Sequence, residues 1–167
     1  MSNQRILRAV DALIEERAAQ ADWMKEICTL LQRERQHYHW VDIYFLEGNE
    51  LVLGPYVGAP SPHTRIPLDK GICGAAVREG HTVIVPDVNA DPRYLACSLE
   101  TKSEIVVPIE ANGRILGEID IDSHTLDAFQ ADDHALLEQV AARLAPVLAD
   151  LHPPGSGRQA QEAVRRG

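Results

Sequence analysis

Apolar residues recur at three- and four-residue spacing near the start of the chain, at Ile6, Leu7, Val10, Leu13 and Ile14, with Arg8, Asp11, Glu15 and Glu16 between them. That period predicts an amphipathic helix over residues 4–19. A second stripe, Met24, Ile27, Leu30 and Leu31, predicts a helix from about Asp22, placed as its N-cap, towards Gln36. Cys28 lies at the edge of this stripe, where a free cysteine serves as a small buried hydrophobe. Aromatic and β-branched residues follow from Trp40 to Phe45 and from Glu50 to Leu53, split by Gly48-Asn49, which predicts a hairpin. Residues 54–62 hold three prolines and two glycines and read as a loop that ends at a short strand, Arg65-Ile66-Pro67. A short helix starts near Cys73 and closes at Gly80, a strand covers Thr82 to Val85, and Pro86 to Pro92 is turn chemistry. The last helix runs from about Asp132 to Leu151, with Leu136, Leu137, Val140, Leu144, Val147 and Leu148 as its buried stripe and a kink expected at Pro146.

The period changes to two in the stretch from Glu104 to Asp122, and there the pattern carries chemistry. Asp120 and Asp122 share one face of a strand whose other face holds Ile119 and Ile121. This strand pairs with Glu104 to Ile109 through Asn112-Gly113. A plain two-residue turn would set Ile105 opposite Asp120 and mix oily and acidic residues on one face. Keeping Ile105, Val107 and Ile109 with Ile115, Ile119 and Ile121 requires an odd-numbered loop or a bulge. Glu104 then joins Asp120 and Asp122 in one cluster. Such a cluster is either a solvated face or the lining of a site, and the convergence of three acids in the register that saves the core favours the site.

Composition narrows the classes. The chain has 167 residues, 16 Lys and Arg against 25 Asp and Glu, and a net charge of −9. An acidic balance argues against a nucleic-acid partner. No apolar run is long enough for a membrane span and none resembles a signal peptide, so a cytoplasmic protein is expected. The length fits one domain over residues 1–152, including the two N-terminal helices, with 153–167 as a flexible tail. Three cysteines do not suggest a disulfide framework. Cys73 opens a short helix, where unpaired amides lower a thiol pKa; the alternative is a small residue fitted to a glycine-flanked turn. The seven histidines are scattered, no spacing matches a zinc signature, and no metal or phosphate-loop site is expected.

The element order predicts an α+β domain built on an antiparallel sheet flanked by N-terminal and C-terminal helices. The ordered segments LVLGPYVG, RIPLDKGICGAAV, VPDVNADPRYLAC, SEIVVPI and GEIDIDS resemble a GAF domain, and more narrowly the free methionine-(R)-sulfoxide reductase family. The resemblance covers about residues 38–150. It implies a thiol-dependent enzyme that reduces free methionine sulfoxide with no bound cofactor, recycled by an external thioredoxin-type dithiol reductant. Cys97 matches the family's catalytic cysteine and Cys73 a second family cysteine, while Glu104, Asp120 and Asp122 match the acids around the substrate. Trp40 and Tyr44 match the aromatic part of the pocket. Glu104, in such a cluster, is expected to stay protonated and to deliver a proton to the departing oxygen.

Three departures from the family pattern bear on these roles. His63 stands where many members carry a resolving cysteine, which leaves Cys73 or an external thiol to recycle Cys97. Ser98 replaces an acid, and Asp42-Ile43 replaces a small residue and an aromatic. The alternative they support is a non-catalytic GAF module that binds a small molecule or senses oxidants. The apolar stripes of the terminal helices also offer a surface for a homodimer.

Overall fold

The computed structural model describes residues 1–96 and 98–153. Its helices are α1 (Asn3–Glu15), α2 (Trp23–Glu34), α3 (Gly71–Glu79) and α4 (Ala131–Leu151). Its strands are β1 (Trp40–Glu47), β2 (Glu50–Val57), β3 (Arg65–Pro67), β4 (Val83–Val85), β5 (Ser103–Ala111) and β6 (Arg114–Ser123). They form a six-stranded sheet in the order β3-β2-β1-β6-β5-β4, with every neighbouring pair antiparallel. The expected α+β architecture, with terminal helices against an antiparallel sheet, is the one observed.

The sheet separates two cores. On one face α1, α2 and α4 pack Ile6, Val10, Ile27, Leu31, Leu136, Val140 and Leu144 against Val41, Ile43, Ile105, Val107, Ile119 and Ile121. On the other, α3 brings Ile72, Cys73, Ala76 and Val77 against Tyr44, Leu51, Ile66, Val83, Val85 and Val106. Period-two alternation in the central strands thus serves two layers at once. Cys28 is buried in the first core, as its place in the helical stripe indicated, and its thiol faces the Pro55 carbonyl at 3.8 Å.

The hairpin between β5 and β6 takes the second of the two routes that the hydrophobic phase allows. Asn112 and Gly113 both adopt positive φ, 54° and 73°, making a two-residue turn whose twist suits antiparallel strands. The register then shifts between Ile109 and Glu110: Glu110 faces Ile115 but Ile109 faces Gly117, so Leu116 is the extra residue of a bulge. Beyond it Ile105 faces Ile121, Glu104 faces Asp122 and Val106 faces Asp120.

Several boundaries differ from the pattern-based reading. α1 stops at Glu15, where residues 15–19 are exposed and offer no large apolar side chain to hold a further turn against the core. Asp22 precedes α2 but its side chain makes no capping bond. Residues 54–57 belong to β2 rather than to a loop. A register shift opposite Asp42 to Tyr44 accommodates Pro55, as strands do with proline at a bulge. α3 begins at Gly71, two residues before Cys73, and ends at Gly80 as expected. α4 continues through Pro146 to Leu151. No helix among the described residues is long and apolar enough to cross a membrane. The tail expected beyond Pro153 lies outside the described residues.

Where β6 crosses β1, Gly117 pairs with Phe45, and a Cβ there would overlap the Tyr44 carbonyl oxygen. Gly117→Ala should therefore lower the unfolding free energy by about 1–3 kcal/mol, read as a lower midpoint in urea. An unchanged midpoint would mean that the β1–β6 contact is looser than its geometry states.

Candidate active site

Strands β1, β5 and β6 present acids on the face turned away from the long helices. Glu104 on β5, Glu118, Asp120 and Asp122 on β6 and Asp42 on β1 are all buried. Pairing sets Asp42 beside Asp120, Trp40 beside Asp122 and Tyr44 beside Glu118. The three acids expected to cluster do so. Glu118 and Asp42 join them, and their place was readable: Glu118 has the same parity as Asp120, two residues away. Asp42 instead stood out only as a departure from a family pattern.

Helix α3 lowers Cys73 onto this face. Its thiol donates to Asp120 Oδ2 at 3.3 Å and lies 4.0 Å from Glu104 Oε1. Of the two readings of Cys73, this burial favours the small residue fitted to a glycine-flanked turn over a thiol made acidic by a helix N-terminus. Burial pushes the Cys73 pKa well up, and the charges of Asp120, Glu118, Glu104 and Asp42 push it further. The dipole of a short helix is outweighed by four carboxyl groups in a dry environment.

The carboxyl groups are not equivalent. Burial, then the Asp120 charge, raises the pKa of Asp42, Glu104, Glu118 and Asp122. Asp120 is raised by burial too, but only to about 6, because hydrogen bonds from Cys73, from Glu104 and from the Ile121 backbone favour its anion. Glu104 is the proton-holding partner in that contact. The face therefore pairs a carboxylic acid, Glu104, with a neighbouring carboxylate, Asp120.

A narrow pocket opens beside this cluster. Its volume is about 80 Å³ and its walls include His39, Trp40, Pro60, Ser61, Ser98, Thr101, Asp122 and His124. Thr101 donates to Asp122 Oδ2 at 3.2 Å, and the Trp40 indole donates to Asp42 Oδ2 at 2.6 Å while stacking on Tyr56 at 4.8 Å. Tyr44 does not line this pocket. It is buried in the second core, and its hydroxyl donates to the His63 carbonyl at 2.6 Å. The His63 ring donates in turn to the Ala96 carbonyl at 3.0 Å, tying the position before β3 to the segment that carries Cys97. Cys97 itself lies outside the described residues.

Metal-binding capacity is present without a sequence signature. Cys73 on α3, Glu104 on β5 and Asp120 on β6 offer ligand atoms within 4.8 Å of one another.

Residues 5–148 match the GAF domain model. The chain is 37% identical over 120 residues to the free methionine-R-sulfoxide reductase of Escherichia coli (strain K12), a match spanning 72% of each protein. The solved free methionine-R-sulfoxide reductase of Neisseria meningitidis, in complex with its substrate, is 32% identical. It superposes with a TM-score of 0.82 over 95% of this chain and 91% of that one. The type II free methionine-R-sulfoxide reductase of Thermoplasma acidophilum is 40% identical with a TM-score of 0.74, over 76% of this chain and 90% of that one.

Because these acids titrate at higher pH when folded, the native state holds protons that the unfolded chain releases. Their burial thus costs nothing below the ordinary carboxylate range and costs progressively more as pH rises through it; for Asp120 that cost accrues from its usual value to about 6. Glu118, with both oxygens buried and unbonded, should contribute to the same loss. Glu118→Gln is expected to flatten the fall in unfolding free energy between about pH 5 and pH 8 by about 1 kcal/mol or more. Urea unfolding at the two pH values measures it, and parallel slopes in both proteins would contradict it.

Proposed function

Because the chain belongs to the GAF-domain free methionine-R-sulfoxide reductase family, we propose that it reduces free L-methionine-(R)-sulfoxide to methionine with Cys97 as the nucleophile. The observation that carries this reading is the buried cluster of Glu104 and Asp120, whose pKa values burial raises, beside a pocket edged by Ser98, the residue after Cys97. Asp120 and Asp122 suit the substrate ammonium, and Trp40 supplies an apolar wall.

In the reaction the Cys97 sulfur attacks the sulfoxide sulfur while Glu104 gives a proton to the oxygen. The oxygen then passes from the substrate sulfur to the Cys97 sulfur as the substrate sulfur–oxygen bond and the transient sulfur–sulfur bond break, leaving Cys97 as a sulfenic acid and releasing methionine. A thiol then attacks the sulfenic sulfur, releasing water and forming a disulfide, which a thioredoxin-like dithiol reduces by exchange. Recycling by Cys73 is disfavoured by its surroundings, since a thiol held neutral by burial and by acids is a weak attacking group. Direct attack by the external thiol fits the site better.

Loss of free methionine-(R)-sulfoxide should be observed with a dithiol reductant, and Cys97→Ser should abolish it. Glu104→Gln should lower kcat by about 10²- to 10⁴-fold. Ligand binding with no consumption would instead support the sensor reading favoured by the extra buried acid Asp42. Without reductant, one turnover should leave a sulfenic acid on Cys97, trapped by dimedone and located by mass mapping. A Cys73–Cys97 disulfide as the main product would overturn the external-thiol route. His63→Cys should redirect the oxidised product to a disulfide between the introduced thiol and Cys97, because position 63 already touches the neighbouring Ala96.

A further inference from the structure

The buried acids lack a cation. None of the ion pairs among the described residues involves Asp42, Glu104, Glu118, Asp120 or Asp122. Both oxygens of Glu118 and one each of Asp42 and Asp120 are buried without a hydrogen bond. Glu118 is fully buried, shares the strand face of Asp120, and lies close enough to Cys73 for each group to shift the other. Unpaired buried carboxyl groups around a thiol are an unfilled coordination shell in chemical terms.

We propose that Cys73, Glu104 and Asp120, completed by Glu118, bind a thiophilic divalent metal ion of the Zn²⁺ class. The distances support it. Tetrahedral zinc with Zn–S about 2.3 Å and Zn–O about 2.0–2.2 Å places sulfur and oxygen ligands about 3.5 Å apart. The Cys73 sulfur lies 3.3 Å from Asp120 and 4.0 Å from Glu104. A thiolate among the ligands selects zinc or cobalt over calcium or magnesium, which take oxygen shells. Asp122, on the wall of the pocket and next to Asp120 on the same face, marks the way in. On binding, the Cys73 S–H proton and the Glu104 and Glu118 carboxyl protons pass to solvent, sulfur–metal and oxygen–metal bonds form, and no electrons are transferred.

An ion held there occupies Glu104 and Asp120, so it should exclude the amino-acid substrate. That consequence rests on the reductase reading; the binding does not. The test is a Co²⁺ titration of the full metal-stripped chain, followed by its thiolate-to-cobalt charge-transfer absorption and then by displacement with Zn²⁺. One equivalent should develop the band, Cys73→Ser should remove it, Glu118→Gln should weaken binding about tenfold or more, and Cys97→Ser should keep it. No band, a band that survives Cys73→Ser, or one lost with Cys97→Ser overturns the proposal. If circular dichroism shows Cys73→Ser unfolded, Asp120→Asn serves in its place under the same criteria. Zn²⁺ should also raise KM for methionine sulfoxide at unchanged kcat. Absence of turnover by the metal-free protein sinks the reductase reading and leaves the cobalt band as it was, whereas absence of the band leaves turnover intact.

Discussion

The structure depends on keeping like-charged groups together in a dry place. Five carboxyl groups share one face of β1, β5 and β6, with Cys73 pressed onto them by α3. Such an arrangement is tolerable because burial and the neighbouring acids raise the pKa of these carboxyl groups and of the Cys73 thiol, which favours their neutral forms over a set of like charges. The same constraint that weighs on stability prepares an acid for catalysis. It also fixes the chemistry the pocket prefers, which is a ligand bearing positive charge and an oxygen that needs a proton.

Everything around the acids keeps that face separate from the oily one. The long helices bury the isoleucines of the opposite face, and α3 with β3 and β4 closes a second core beyond the acids. Asp42 and Trp40 bond to each other at the edge, and Thr101 bonds Asp122 at the pocket. Tyr44 acts from behind. Its hydroxyl holds the His63 backbone, and His63 holds Ala96, so a core residue reaches the segment that carries Cys97 through two hydrogen bonds. The bond to His63 makes Tyr44 an anchor for the loop before β3.

Much of this was legible along the chain because it follows from periodicity. Helical stripes gave α1, α2 and α4, and alternation in β5 and β6 gave the clustering of Glu104, Asp120 and Asp122. Glu118 carries the same signal, two residues from Asp120 on the same face. What local reasoning left open was Cys73. A helix start argues for an acidic thiol, but the residues that decide the matter, Asp120 and Glu104, lie on strands more than thirty positions away in sequence. Likewise Pro55 looked like a loop residue because the bulge that admits it to β2 is a property of the pairing with β1, not of the segment itself.

The bulge at Leu116 has a consequence for how this hairpin can vary. What must be preserved is parity: the number of residues between Ile109 and Ile119 decides which face the acids take, while the way those residues divide between tip and strand does not. A chain with a three-residue tip and unbroken strands would carry the same acidic face as this one with its two-residue tip and one bulged residue. Tip and bulge are interchangeable solutions to one counting problem. Hairpins that look unlike at their ends can therefore present the same chemistry at their centre.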